Sequence, residues 1–256
     1  MLSTEPRILN PDPGYPSPSL AAPTDLGYLY AAATVAPGSL LPFVAPSDHR
    51  ERALATVRAL ADVMPTVDGV IDATVFRAIA IPPTAKFSKF LRAANGAIPV
   101  ANFDLIVLVR CSSVEKAEEV CESPPYRQLL EALRAEAERL LVMVARNVRR
   151  IADVEIDRNG LFLFNHFAAA RPAVLPGLWD RLAGWYVARM GLCNSVALAP
   201  VNSGQQDYPI VDWVRWDAHP IAHFAGMLCK PSFWRFVVAN LDANHAASMP
   251  IYCRLA

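Results

Sequence analysis

The sequence has no excess of either charge. Twenty-four Lys and Arg residues balance 24 Asp and Glu residues, and charged residues make up only 19% of the 256 positions. Proteins that bind nucleic acid or anionic membranes usually carry a broad positive field, which is visible in their composition. We therefore expect neither nucleic acid nor a membrane as a partner of this chain.

Paired cysteines and long apolar runs are also missing. The five cysteines are odd in number, widely spaced and never in a CxxC motif, so neither a disulfide framework nor a zinc site is indicated. No stretch approaches the roughly 18 apolar residues of a membrane span, and the first residues do not resemble a secretory signal. These features are typical of the reducing cytoplasm, which is the predicted location.

Several signatures of catalysis are absent from the sequence. It contains no GxSxG, Walker A, GxGxxG or paired-carboxylate motif, so hydrolase, nucleotide-binding and dehydrogenase functions lack support. His219 and His223 have the i, i+4 spacing that a metal site can use, but the glutamate of an HExxH motif is missing. We therefore predict no metal site.

Hydrophobic residues and prolines are abundant instead. Hydrophobic residues make up 54% of the chain, which is enough for a substantial core, and there are 22 prolines. Six of these prolines fall in residues 1–25, where they prevent both a helix and a strand ladder. We expect this segment to be an extended, partly disordered N-terminal arm.

In the rest of the chain, the same order of predicted secondary-structure elements occurs twice. Residues 26–156 predict strand, helix, two strands, helix and strand, and residues 157–256 predict that order again. The predicted helices carry apolar stripes, for example Leu129, Leu133 and Leu140. The predicted strands cover 26–36, 69–81, 103–113 and 144–154 in the first pass and 160–169, 194–201, 208–217 and 249–256 in the second.

Short sequence matches support an internal repeat. The segments LVRCSS and WVRWDA both place Val-Arg at the end of a strand, with Arg110 and Arg215 at matching positions. SPPYRQLL then matches KPSFWRFV in the following helix, and VRRIA matches YCRLA in the last strand. All three matches keep nearly the same spacing, so we predict two tandem ferredoxin-like βαββαβ repeats.

This pattern resembles the dimeric α+β barrel superfamily, which includes the antibiotic-biosynthesis monooxygenases. The likeness is carried by a strand that runs into a helix with a Ser-Pro-aromatic break, FDLIVLVRCSSVEKAEEVCESPPY in one half and YPIVDWVRWDAHPIAHFAGMLCKPSF in the other. The resemblance implies an α+β fold in which two units face their sheets together around a ligand-holding lumen. Because each sheet needs cover for its apolar face, we expect a barrel within the single chain, with a homodimer possible but not required.

Strand alternation predicts which side chains face the lumen. Trp213 and Arg215 share one face of their strand, and Arg110 has the equivalent position in the first half. The other, aliphatic faces should meet the helices. Tryptophan stacks on rings and arginine donates a fixed fork of hydrogen bonds, so a planar, oxygenated or anionic ligand is indicated. The alternative is that the arginines pair with acids at the strand ends.

Asn165 and His166 are neighbours in a strand, so only one of them can face the lumen. An asparagine amide could hold an oxygen or a carbonyl group, whereas a histidine could act as a general acid or base. The resembling monooxygenases commonly line their site with an asparagine and a tryptophan, which favours Asn165 beside Trp213. Tyr252, on the closing strand, adds a possible hydroxyl donor.

Together these residues favour a cofactor-independent enzyme that oxygenates or cyclises a hydrophobic, aromatic or polyketide-like small molecule. In this interpretation Arg215 stabilises an enolate or phenolate, Trp213 holds the ring, and Asn165 positions oxygen or a carbonyl. A binding protein without turnover is one alternative. The basic, aromatic segment KFSKFLR (86–92) is interpreted as a lid over a barrel mouth, a partner surface or a solvated loop helix.

A heme protein is the other alternative. The heme-degrading members of the superfamily use a histidine on a late helix, and the corresponding segment PSFWRFVV contains none. His166, His223 and His245 keep heme binding open as a cofactor hypothesis.

Overall fold

The computed structural model describes residues 4–12, 14–36, 39–40, 43–202 and 207–256. In these parts of the chain, no helix is both long and apolar enough to cross a membrane. The strands are β1 (Gly27–Thr34), β2 (Ser39–Leu40), β3 (Phe43–Val44), β4 (Val70–Ala80), β5 (Leu105–Cys111), β6 (Arg139–Ala152), β7 (Leu161–Ala169), β8 (Ser195–Pro200), β9 (Ile210–Trp216) and β10 (Ala246–Leu255). The helices are α1 (Asp48–Ala61), α2 (Thr84–Phe87), α3 (Lys89–Ala94), α4 (Val114–Cys121), α5 (Pro124–Glu136), α6 (Leu175–Met190), α7 (Pro220–Leu228), a π-helix (Phe233–Val238) and α8 (Ala239–Ala243).

Eight strands form a closed antiparallel barrel in the order β4, β10, β7, β9, β8, β6, β1 and β5. The ring closes because β5 pairs with β4 and β4 pairs with β10. In each half the fourth strand of the βαββαβ order lies beside the first, followed by the third and the second. The fold predicted from the sequence, a single-chain α+β barrel, is confirmed. The division of the chain at residue 156 stays a prediction.

Helices cover the outside of the barrel. In the first half, α1, α4 and α5 pack on the sheet, and each begins at a serine whose hydroxyl accepts a hydrogen bond from a backbone N–H, as an N-cap does. The predicted helical stripe extends too far here, since α5 ends at Glu136 and Leu140 belongs to β6. The reason is that β6 pairs with β1 from Arg146 opposite Gly27 down to Arg139 opposite Thr34.

The barrel interior is filled by side chains. Phe76, Phe164 and Trp213 belong to one buried cluster, with ring centroids 4.9 Å apart for the first pair and 6.1 Å for the second. Tyr30 on β1 reaches across to His166 on β7, on the opposite side of the ring of strands, with its hydroxyl 2.8 Å from Nε2. An eight-stranded barrel is just wide enough to be filled in this way. The predicted lumen is therefore a packed core shared by both halves.

The N-terminal arm is extended, as its prolines predict, but it is anchored on the helices of the second half. Arg7 and Leu9 each exchange two backbone hydrogen bonds with a buried asparagine, Asn244 and Asn240 respectively, at 2.6–3.1 Å. The two asparagines are one helical turn apart, which roughly matches two residues of extended chain. The described part of the arm is thus ordered by specific contacts, which corrects the expectation of partial disorder.

Candidate functional site

The residues expected to share a lumen site lie in different places. Trp213 belongs to the packed interior, where it is 1% exposed and stacks on Phe164 at an interplanar angle of 9°. Asn165 has the opposite orientation and faces the helices, beside Ser248. The expectation that Asn165 and Trp213 line one pocket is therefore wrong. Its cause is the parity of β7, in which Phe164 and His166 take the interior positions and leave Asn165 outside.

Both arginines are held at strand ends by acids. Arg110 forms a bidentate pair with Asp72, and Nη2 of Arg215 donates to Asp217 at 2.5 Å. Gly160 makes room for this arrangement, because a Cβ there would lie 2.4 Å from Nε of Arg215. The pairing of strand-end arginines with acids was the alternative that the sequence left open, and it is the one that the structure contains.

His166 is enclosed in the interior, where both of its ring nitrogens have partners within the protein. Its Nδ1 lies 3.4 Å from the carbonyl of Met249, which can only accept, so Nδ1 carries the hydrogen and Nε2 accepts from the hydroxyl of Tyr30. Burial lowers the pKa of His166 to about 3, so the ring is neutral near pH 7. A neutral, fully buried imidazole between two partners does not reach a ligand, which leaves the predicted acid–base role without geometric support.

A row of polar side chains crosses the helix-facing side of the sheet. Asp212 on β9 lies opposite Asn165 on β7, and both are buried. Ser195 on β8 donates to Oδ1 of Asp212 at 2.5 Å, and Ser248 on β10 donates to Oδ1 of Asn165 at 2.8 Å. We call Ser195, Asp212, Asn165 and Ser248 the polar row. Because aspartate and asparagine are rarely buried and are hydrogen-bonded where they are, we take this row as the candidate site on the helix-facing layer.

Asp212 has the most perturbed environment in the polar row. Burial raises the pKa of its carboxyl to about 6, and hydrogen bonds with Ser195 and Trp179 offset only part of that rise. A carboxyl group whose pKa lies near neutrality can both accept and release a proton under physiological conditions. Asp212 is therefore the candidate general acid or base.

An apolar cavity of about 220 Å³ adjoins the polar row. We call it the helix–sheet cavity, because it lies between the outer face of β7 and β10 and the helices of the second half, with Asn165 and Ser248 in its wall. A chamber of about 30 Å³ shares these two residues and has Asp212 in its own wall. The cavity suits a small ring system, since pockets for drug-sized ligands typically hold ~300–1,000 Å³. The chamber has room for one water molecule, which needs roughly 15 Å³.

The π-helix forms one wall of the helix–sheet cavity. Phe233 and Val237 from this helix line the cavity. π-Helices are rare in proteins and are frequent at functional sites, where the wider turn reshapes a surface. The helical break predicted at Pro231 is confirmed, because α7 ends before this proline and the π-helix begins after it.

The mouth of the cavity is covered from the first half of the chain. Phe87, in the predicted lid segment 86–92, meets Trp234 of the π-helix edge to face, with centroids 6.1 Å apart, and both residues line the cavity. Lys89 forms an ion pair with Asp242 at 3.3 Å, which holds α3 against α8. The segment therefore covers the helix–sheet cavity and not a barrel mouth.

Tyr252 lines the helix–sheet cavity and not the interior where it was expected. Tyr186 on α6 lines the same cavity, and burial raises the pKa of both phenols, so both are neutral donors near pH 7. The hydroxyl of Tyr186 lies 3.7 Å from the sulfur of Met227. A thioether sulfur is a weak acceptor, so Tyr186 can exchange this bond for one to an oxygen of a bound ligand.

The residues that line the helix–sheet cavity do not fit a heme. None of the lining residues in the described part of the chain is a histidine or a cysteine. Of the other residue types that can hold a heme iron, Tyr186 and Tyr252 have phenol pKa values raised by burial and so present no phenolate, and the Met227 sulfur already accepts from Tyr186. His166 lies in the barrel interior, and His223 lines a separate groove, where it packs on Trp216 with centroids 4.4 Å apart. His245, the third histidine considered, is also outside the lining. None of these three histidines lines the cavity, so none of them is placed to bind an iron there.

Sequence reasoning missed Asp212, Ser195 and Ser248. Asp212 was placed correctly on the helix-facing side of its strand, but that side was interpreted as packing surface. The available signal was an aspartate in the middle of the apolar strand IVDWVRW, because aspartate is almost never fully buried unless it is paired. The partners Ser195 and Ser248 had no comparable signal.

Scans against protein-family models and against curated proteins found no match. Solved structures do resemble the chain. An anthrone oxidase-like protein matches with a TM-score of 0.59 at 11% identity, over 90% of this chain and 91% of that chain. A monooxygenase-like protein from Fusobacterium nucleatum subsp. nucleatum matches with 0.53 at 7% identity, over 90% and 91%. A mutant chlorite dismutase from Candidatus Nitrospira defluvii reaches 0.45 at 10% identity, over 93% and 94%. At these identities the likeness concerns the fold alone.

Proposed function

We propose that this chain, which has the fold of the dimeric α+β barrel superfamily, is a cofactor-independent enzyme that removes a proton from an apolar, aromatic small molecule. The helix–sheet cavity binds the molecule, and Asp212 accepts the proton. The observation that carries this proposal is a buried carboxyl group, with its pKa raised to about 6, in a polar row beside an apolar cavity.

The cavity supports an apolar ring as the ligand. Its wall is formed largely by aromatic and aliphatic side chains, among them Phe224, Leu228 and Val237. Asn165 and Ser248 are polar groups at the point where the wall meets the sheet. Because Oδ1 of Asn165 accepts from Ser248, the amide N–H groups of Asn165 are its donors for a carbonyl or phenol oxygen of the ligand.

The proton moves from an activated carbon of the ligand to Asp212. The chamber between Asn165, Ser248 and Asp212 has room for one water molecule, and in this proposal such a water relays the proton to the carboxylate. Ser195 donates to Asp212 and holds the carboxylate in place. The electron pair left on the ligand is delocalised onto its carbonyl oxygen, where the Asn165 amide stabilises the negative charge. This step is common to oxygenation and to carbon–carbon cyclisation.

In the oxygenation version dioxygen is the co-reactant. The carbanion is oxidised and dioxygen is reduced, so that a CH₂ group becomes a carbonyl, one oxygen atom enters the product and the other leaves as water. Anthrone, whose central CH₂ lies next to a carbonyl-bearing ring system, is a suitable probe for this reaction. The anthrone oxidase-like protein among the similar structures supports this choice.

The test compares the protein with Asp212→Asn on anthrone under oxygen. We expect the rate with the native protein to rise with pH through about 6, as Asp212 ionises. Asp212→Asn should lower kcat by roughly 10²–10⁴-fold, the usual contribution of a general base. Binding of anthrone, followed by its fluorescence, should change little, because the cavity wall is unchanged.

Asp157→Asn, at an exposed position, is the matched control and should behave as the native protein does. Turnover by Asp212→Asn at the native rate would refute the role of Asp212. Tight binding of anthrone by the native protein without oxygen consumption or cyclised product would favour the binding protein without turnover and refute the enzyme.

A cytoplasmic location belongs to the same proposal. All five cysteines are free thiols, and two of them, Cys193 and Cys229, are exposed, which suits a reducing compartment. A homodimer is not required by the fold, because the barrel is closed within one chain.

A further inference from the structure

The balanced charge of the whole chain hides a local excess at the mouth of the helix–sheet cavity. The mouth is formed by residues 84–94, which contain α2 and α3, and by residues 220–243, which contain α7, the π-helix and α8. These two segments carry five basic residues and one acid, Asp242, in a chain that has 24 of each. Asp242 is already paired with Lys89. The five basic residues are Lys86, Lys89, Arg92, Lys230 and Arg235.

Exposed apolar side chains concentrate in the same two segments. Phe87 is 54% exposed, Ile221 is 54% exposed and Trp234 is 40% exposed, which makes three of the eight large exposed hydrophobic residues in the described chain. Phe87 and Trp234 touch each other across the mouth. The indole N–H of Trp234 donates to the carbonyl of Leu228 at 2.9 Å, which fixes the ring at the surface.

We propose that this surface docks the protein on an anionic lipid bilayer, with Phe87 and Trp234 inserted among the headgroups and the basic residues facing the lipid phosphates. A polar surface with Lys and Arg beside protruding Trp and Phe is the composition of interfacial membrane-binding segments. Tryptophan in particular favours the headgroup level, where its ring is half apolar and half polar. Compared with the rest of the described chain, this surface has a larger excess of basic residues and a higher proportion of exposed large apolar side chains.

A bilayer explains more of this surface than an acidic protein partner does. Charge alone would suit either, but two aromatic rings at the opening of an apolar cavity suit an apolar phase. A ligand that partitions into the bilayer could pass between Phe87 and Trp234 without crossing water. The docking itself rests on the exposed side chains and their charge and does not depend on the proposed catalysis.

The arrangement of the tryptophans offers a direct readout. Of the five tryptophans, Trp179, Trp185, Trp213 and Trp216 are buried and only Trp234 is exposed. Vesicles of phosphatidylcholine and phosphatidylglycerol that carry brominated acyl chains should therefore quench Trp234 and leave most of the remaining emission. Trp234→Phe should abolish this quenching.

Sedimentation with the same vesicles measures the charge dependence. We expect the protein to sediment with mixed vesicles at low salt, to sediment far less with phosphatidylcholine alone, and to be released at about 1 M salt, where the Debye length is about 3 Å. Lys86→Glu combined with Arg235→Glu should weaken binding at least roughly tenfold. The matched control is Arg52→Glu combined with Arg134→Glu, at exposed positions of α1 and α5. This control should bind the vesicles as the native protein does.

Three results would overturn the proposal. The first is no sedimentation with mixed vesicles, and the second is sedimentation without quenching of Trp234, which would mean adsorption by charge only. The third is concentration-dependent self-association that Trp234→Phe removes, because the surface would then bind a second copy of the chain. Asp212→Asn should bind vesicles as the native protein does, so failure of the docking and failure of the catalysis are distinguishable.

Discussion

Asp212 links the stability of the protein to pH. Its carboxyl holds a proton more tightly in the folded chain, where its pKa is about 6, than in the unfolded chain, where 3.8 applies. The stability that this group contributes is therefore fully present below pH 3.8 and is lost as the pH rises through about 6. The difference between the two pKa values corresponds to about 3 kcal/mol.

We expect Asp212→Asn to be more stable than the native protein above pH 6, by up to about 3 kcal/mol, because a neutral amide replaces a buried charge. The advantage should shrink toward about pH 4. Urea unfolding at several pH values, followed by circular dichroism, measures it. Asp157→Asn serves as the exposed control, and an advantage that does not vary with pH would contradict the raised pKa.

The stability that His166 contributes depends on pH in the opposite direction from that of Asp212. The folded pKa of His166, about 3, lies below its ordinary value of 6.5, so the stability from its neutral form is present above pH 6.5 and is lost as the pH falls toward 3. We expect His166→Gln to lose less stability than the native protein between about pH 7 and about pH 4, because an amide cannot be protonated in this range. His49→Gln, at an exposed position, is the control. Equal acid sensitivity of the native protein and His166→Gln would contradict a neutral, buried ring.

The position of Asp212 could be predicted from alternation, but its partners could not. Alternation along β9 correctly separates Asp212 from Trp213, because successive side chains of a strand point to opposite faces. In β7 the same rule requires only that Asn165 and His166 point to opposite faces of the sheet. Both faces of this strand are buried, so polarity alone does not indicate which face is the interior. The polar row arises from the register of four strands, which the pattern of one strand does not contain.

Among the elements, the N-terminal arm offers a direct test of a contact between distant parts of the chain. Asn240 and Asn244 hold Leu9 and Arg7 through four hydrogen bonds. We expect Asn240→Ala combined with Asn244→Ala to release the arm and to destabilise the fold by about 1–3 kcal/mol per asparagine. Limited proteolysis should then cleave residues 4–16 first.

Asn159→Ala, at an exposed position without a positive φ, is a control that leaves the arm in place. Unchanged protection of residues 4–16 in the double variant would mean that other contacts, such as Tyr15 on Phe236, hold the arm. The sequence predicts the extended backbone of the arm from its prolines. It does not predict the anchoring, because the two asparagines lie about 230 residues away and resemble ordinary helix-end residues.

For the whole molecule, the repeated order of the strands could be predicted, whereas the filling of the barrel could not. Apolar alternation and the repeated βαββαβ order lead to a barrel built from both halves, and the structure has such a barrel, closed by the pairing of β10 with β4. Whether a space remains between the sheets depends on side-chain volume. Here Tyr30, Phe76, Phe164 and Trp213 meet in the centre, and the space for a ligand lies outside, under the helices.

The shared interior should make the two halves unfold together. Phe76 belongs to the first half and Phe164 to the second, yet their rings are 4.9 Å apart in one cluster. We expect Phe76→Ala and Phe164→Ala each to destabilise the protein by about 3–5 kcal/mol, because each leaves a cavity in the same core. Either variant should lower the midpoint of a single transition.

Two probes separate the halves in this experiment. All five tryptophans lie in the second half, so their fluorescence reports on residues 179–234, whereas alkylation of the buried thiol of Cys111 reports on the first half. Because each half would expose its side of the interior if the other unfolded, we expect the two probes to change at the same denaturant concentration in the native protein and in both variants. If Phe76→Ala shifts the thiol transition and leaves the tryptophan transition in place, the halves are independent domains and the packed interior does not couple them.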